Sequence, residues 1–333
     1  MRSMYRFSVI ALAVGAMALF GMAKPGHAEV KVSGVAWAGI GIHKTTPKTG
    51  DGATDIRADS LGEINFTGGV GNVTGKVRYR VRGEQDAAGT ASKTPAAVRH
   101  QVDWKVSDSL DIVFMGQSFG IPDSFVGYSE TTLGVFTSQG DIGDMIASPQ
   151  FFFVNRGGVD VRAGSGGVEY GIAVIGSCAP ACGGVTDQAQ TIIPHVMVKA
   201  GGITAAVYYA AASGKDLTTK ATPKANEVNL GLAYHADNMQ FGFQYVQDKD
   251  NPNSYKYTGM ALGGKVGAIG FHYNTQAQED AAGTKTTDLN EIAFAYTVPL
   301  TEQAEFILGV AQDQDKLAET KDLLVLASAK TTF

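Results

Sequence analysis

Beyond residue 28 the sequence has no apolar run approaching the ~20 residues of a membrane-spanning helix. The longest candidate, ITAAVYYAAA from Ile203, is half that length and is flanked by Gly201, Gly202 and Ser213. Heptads and helical stripes are missing too, so no helical period competes for the architecture. Charge is modest at 18% and leans acidic, with a formal net charge of −5, so no basic excess suggests nucleic acid. Only two cysteines occur, Cys178 and Cys182 in SCAPACGG, with neither C-x-x-C-H nor a zinc spacing. The six histidines are scattered. Neither a metal site nor a cofactor is expected.

What the sequence does have begins at its N-terminus. MRSMYRFSVIALAVGAMALFGMAKPGHAEV carries Arg2 and Arg6, an apolar run from Phe7 to Ala23, and the small residues Gly26 and Ala28 in GHA. That is the layout of a secretory signal peptide, here residues 1–28, cut after Ala28. The competing reading is an uncleaved anchor. Removing Arg2, Arg6 and Lys24, with no acid among those residues, takes the net charge from −5 to −8. Export makes Cys178 and Cys182 a candidate disulfide in an external loop, with Pro180 favouring the turn between them.

The remaining residues, 29–333, alternate. In TGKVRYRVRG, from Thr74 to Gly83, Lys76, Arg78, Arg80 and Arg82 share one parity and Val77, Tyr79 and Val81 the other. A strand turns successive side chains to opposite faces. EVKVSGVAWAGIGI, AAVRHQVDWKV, EVNLGLAYH, NMQFGFQYVQD and QAEFILGVAQ repeat the pattern. Connections alternate as well. Short turns fall near Gly69, Asp108, Gly166, Gly201, Asp237 and Leu300. Long polar loops run from Lys44 to Ala58, Glu84 to Pro95, Gly176 to Gln190, Ser213 to Asn226, Thr275 to Thr287 and Asp313 to Thr320. The expected fold is all-β: a transmembrane antiparallel β-barrel of about 16 strands, short turns at one rim and long loops at the other. Strands cross lipid only as a closed barrel, because lipid cannot satisfy an open edge. A soluble sandwich is the alternative, and it would pack its apolar face inside. No interdomain linker interrupts the repeat.

The chain stops at LLVLASAKTTF, with Leu323, Val325, Ala327, Ala329, Thr331 and Phe333 on one face. A closing strand ending in Phe resembles the assembly signal of Gram-negative outer-membrane barrels. EVKVSG at the mature start, NRGGVDVRAGSGGVEYGIAV from Asn155 and YTVPLTEQAEFILGVAQ from Tyr296 resemble segments of the general (diffusion) porins. That resemblance covers most of residues 29–333. It implies a homotrimer of 16-stranded, water-filled pores in outer-membrane lipid, delivered by the barrel-assembly machinery, passing small hydrophilic solutes and ions. A third loop narrows each pore.

In this frame the cations face the lumen. A lipid-facing Arg near the midplane costs roughly 2–4 kcal/mol, whereas water keeps it solvated. Arg99, Arg156 and Arg162 lie on the polar parity of their own segments and extend one basic wall; the alternative is an ordinary solvated face. Residues 118–147 occupy the position of the family's constriction loop, with Asp123, Glu130, Asp141 and Asp144 and no Lys or Arg. They lack the family's Pro-Glu-Phe-Gly-Gly sequence, and IPDSFVG at Ile121 is a loose echo. Acids facing cations across an eyelet make a transverse field that favours polar solutes. A substrate-selective porin with an eyelet binding site is the nearest alternative. The basic wall argues for anions, the acidic loop and the −8 charge for cations, so weak selectivity is expected. GQSFG at Gly116 fits a nucleophile elbow, which leaves a barrel hydrolase using Ser118 as the rival of another class. No helical period follows it and no His stands at a suitable spacing.

Overall fold

The computed structural model describes residues 30–85, 91–115, 157–175, 188–215, 224–250, 255–280 and 282–333. Sixteen strands follow one another: β1 (Val30–Thr46), β2 (Ala53–Val70), β3 (Val73–Gln85), β4 (Ala91–Ser107), β5 (Leu110–Met115), β6 (Gly158–Ser165), β7 (Val168–Ile175) and β8 (Gln188–Ala200). The second half comprises β9 (Ile203–Lys215), β10 (Lys224–Ala236), β11 (Met239–Asp250), β12 (Tyr255–Val266), β13 (Ile269–Glu279), β14 (Lys285–Pro299), β15 (Ala304–Asp315) and β16 (Thr320–Thr332). Each pairs antiparallel with its sequence neighbours, and β1 pairs with β16, so the sheet closes into one barrel. Closure removes every sheet edge among these strands, the condition a spanning sheet must meet.

The apolar face points out. Val77 and Tyr79 on β3 are 41% and 44% exposed, and Val102, Trp104, Leu230, Leu232, Phe294 and Val325 are exposed in the same way. Asp160, His195, Glu227, Asn229, His272 and Asp313 are buried on the inward parity. A sandwich would have the reverse arrangement, so the inversion rules it out. Phe66, Trp104, Tyr170, Tyr234, Tyr296 and Phe333 all stand outward near the short-turn rim, as an interfacial girdle does. The inward face is not uniformly polar. Val113, Met115, Ile175 and Ile193 cluster on β5, β7 and β8, beside the strand end from which residues 116–156 depart.

Several strands run further than alternation suggests. β1 reaches Thr46 and β2 begins at Ala53, so the loop expected from Lys44 to Ala58 shrinks to residues 47–52. The same holds at β13–β14 and β15–β16. Backbone pairing needs no apolar neighbour, so polar ends continue the ladder beyond the apolar band. Pro95 is accommodated by a bulge: the register steps from Arg80 opposite Ala97 to Arg82 opposite Thr94, giving β4 one extra residue. Pro194, with no N–H to give, coincides with a gap in the β8–β9 ladder between Ile192 and His195.

Candidate pore lining

β3 turns Val77 and Tyr79 outward, which puts Lys76 and Arg78, the first two of the four expected cations, on the inward parity of the strand. Two of the four have described side chains. Lys76 Nζ lies 2.6 Å from Asp103 Oδ2 on β4, and Arg78 Nη1 lies 3.9 Å from Glu63 Oε2 on β2. Asn65 donates to Glu63 Oε1 at 3.0 Å, and the Gln101 amide donates to Asp103. Register sets Arg80 opposite Glu63 and Arg78 opposite Arg99. The side chains of Arg80, Arg82 and Arg99 lie outside the described set, as does all of Arg156.

Arg162 on β6 is drawn into a second group. Its Nε donates to Asp160 Oδ2 at 2.5 Å, while His195 Nε2 on β8 stands 2.9 Å from Asp160 Oδ1. Glu169 Oε1 is 4.0 Å from Arg162 Nη1. Asp160 is fully buried, so it needs these partners to remain charged. The inner surface around β2–β6 therefore interleaves cations with acids from neighbouring strands. Its acids, Glu63, Asp103 and Asp160, were legible only as polar residues in the sequence.

Around the ring the balance changes. β3 and β11 are eight strands apart in a ring of sixteen, so they face each other across the lumen. There Glu227 on β10 stands directly opposite Asp248 on β11 in register, both buried. The Tyr208 hydroxyl donates to Glu227, Asn229 Nδ2 donates to the Tyr208 oxygen at 3.0 Å, and Gln244 Nε2 donates to Asn229 Oδ1 at 3.2 Å. Further on, Glu291, Asp313 and Asp322 occupy directly opposing positions of β14, β15 and β16. Asp322 Oδ1 is 3.4 Å from His43 Nε2, whose Nδ1 is 2.9 Å from Asp55 Oδ1. The described cations of β2–β6 are thus paired with acids, whereas the inward faces of β10–β11 and β14–β16 add further carboxylates around the ring.

The expected loop acids Asp123, Glu130, Asp141 and Asp144, together with Ser118, Cys178 and Cys182, lie outside the described residues. Among the described residues no three His, Cys, Asp or Glu side chains converge to hold a metal ion. Phe333 is placed: its backbone pairs with Gly34 at the β1–β16 seam, and its ring is exposed.

Solved structures share this architecture. OmpTdeltaL8, a loop L8 deletion mutant of the outer membrane protein OmpT of Vibrio cholerae, superimposes with a TM-score of 0.59 at 11% identity. The anion-selective porin from Comamonas acidovorans gives 0.56 at 13%, and a mutant of the Rh. blastica porin 0.54 at 14%. Each pairing covers 92% of this chain and 100% of the other. At such identities the likeness is one of fold. Curated proteins offer no significant sequence match. The model of the Gram-negative porin family matches residues 9–328. With the closed barrel and its outward apolar face, that match makes this chain an outer-membrane protein of the Gram-negative porin family.

Proposed function

We propose that the protein is a diffusion channel through which small hydrophilic solutes and ions cross the outer membrane without an energy source. The observation that carries this reading is the inversion of the barrel: apolar side chains on its outside, charged and amide side chains on its inside. A wall so lined can hold water and hydrated solutes. In this reading residues 1–28 direct export and are removed, Cys178 and Cys182 pair in an external loop, and the acids of residues 118–147 add to the field of the wall. Ser118 has no catalytic part.

The subunits assemble as a homotrimer through the seam region. Outward positions of β1 there are Ala36 and Ala38, opposite Thr331 and Ala329 on β16 and Gly62 and Ser60 on β2. Lipid contact favours bulkier side chains, and small ones let two backbones approach closely.

The test is liposome swelling with neutral sugars of graded size. The reading predicts swelling rates that fall steeply with solute size and no fatty acid released from the lipid. Absent swelling contradicts it; fatty acid release lost in Ser118→Ala would favour a hydrolase.

A further inference from the structure

On the inward face of β5–β8, beside the short turns, four charged side chains alternate in sign strand by strand: Asp111 on β5, Arg162 on β6, Glu169 on β7 and Lys199 on β8. With Gly164 and Met197 they line a recess of about 240 Å³, the room of roughly eight waters. Gly164 stands directly opposite Glu169 and brings no side chain. A Cβ there would come within 2.1 Å of the Val168 oxygen, so the position resists a larger residue and the recess stays open.

The four charges do not close into pairs. Asp111 has a cation directly opposite on each side, Lys105 on β4 and Arg162 on β6. Both turn elsewhere: Lys105 Nζ lies 3.1 Å from Asp108 Oδ1, while Arg162 Nε donates to Asp160 and Nη1 lies 4.0 Å from Glu169. Among the described residues neither Asp111 nor Lys199 makes an ion pair. Asp111 is half-buried and Lys199 exposed.

A simple ion gains little in such a recess, because its counter-charge sits beside a like charge. A solute carrying both charges gains at both ends. Strands lie about 4.8 Å apart, so the backbones of Asp111 and Lys199 are separated by roughly 14 Å. A dipeptide spans about 7 Å, and a charge-assisted hydrogen bond of about 2.8 Å at each end brings it close to that separation. A single amino acid is too short to reach both. Arg162 lies between the two ends, and its guanidinium has N–H groups beyond the one given to Asp160, which suits the peptide carbonyl. We propose that this recess binds zwitterions of dipeptide length at the short-turn mouth of the pore, the ammonium on Asp111 and the carboxylate on Lys199. The proposal rests on the channel reading above and adds a solute class to it.

Single-channel recording in KCl with added glycylglycine tests it. Wild-type current should fall as glycylglycine is added, and the fall should saturate. Glycine, glycinamide and N-acetylglycine at equal concentration should have smaller, non-saturating effects. Asp111→Asn and Lys199→Gln should each weaken the apparent affinity by up to about fivefold, the scale of one exposed ion pair. Folded barrels are selected first by their heat-modifiable mobility; either variant decides if the other does not fold, and the comparison of solutes on the wild type needs neither. Glycinamide or N-acetylglycine acting as strongly as the dipeptide overturns the two-ended site, and so does an effect unchanged in every folded variant. A conducting barrel indifferent to glycylglycine overturns the recess and leaves the channel standing. A barrel that passes no KCl current removes the channel reading and this site with it.

Discussion

Gly34 and Phe333 bond to each other twice across the seam: the Gly34 N–H donates to the Phe333 oxygen at 2.8 Å, and the Phe333 N–H to the Gly34 oxygen at 3.1 Å. The Phe333 ring also lies over Gly34, so that a Cβ there would come within 2.4 Å of Cζ and equally close to the Glu63 backbone oxygen. Seam closure and the terminal aromatic are thus one piece of packing. Ring closure is what a membrane barrel cannot omit.

Gly34→Ala should therefore push the ring aside and cost about 1–3 kcal/mol, the usual range for overpacking. The unfolding midpoint followed on unheated gels should fall. Combined with Phe333→Ala, only part of that loss should disappear, because the Glu63 carbonyl still meets the new Cβ; strictly additive losses in the double mutant would show that Gly34 and the ring do not interact.

Asp160 holds Arg162 and His195 from two strands. Asp160→Asn removes the charge from a buried group with charged partners, and should destabilise the barrel by about 3–5 kcal/mol. Gly171→Ala should show a milder version, since a Cβ there meets His195 Nε2 at 2.6 Å and the Val161 oxygen at 2.7 Å. Denaturant titration of the folded band compares them, and a Gly171→Ala barrel as stable as wild type would mean that both the ring and the β6 backbone yield without cost.

Arg stays charged at any working pH, so Arg78→Ala should shift reversal potentials toward cations, as should Arg80→Ala. Neutralising its partner in Glu63→Gln should shift them toward anions, as should Asp141→Asn and Asp144→Asn in the third loop. Reversal potentials that stay put in all five would place these groups off the conduction path.

If the proposed trimer forms through the seam, replacing both Ala36 and Ala38 with Trp should weaken it while the monomeric barrel keeps its heat-modifiable mobility. Light scattering in detergent reads the mass directly. A trimer that survives the double substitution would place the contact on another part of the wall.

The fold and the outward apolar face were legible because alternation is a local property. Val77, Tyr79 and their neighbours announce a lipid face by parity alone, and the count of segments gives the ring. Strand ends were not legible: β1 continues through His43, Lys44 and Thr45, where polarity no longer marks a face. The pore lining was half legible. Lys76, Arg78, Arg80 and Arg82 advertise a basic ladder within one strand, but which acids meet it, Glu63 on β2 and Asp103 on β4, depends on the registers of the flanking strands. Glu227 and Asp248 look like solvated polar positions until closure of the ring sets β10 and β11 across from β2 and β3. Glu291, Asp313 and Asp322 become an acidic row only once the registers of three strands are known.

The most direct measurement is the conductance of purified protein in a planar bilayer bathed in symmetric KCl. Discrete, ohmic steps that grow with salt concentration, in multiples of three per insertion, are the predicted result. A folded barrel that inserts into the bilayer and leaves the current at baseline would contradict the account.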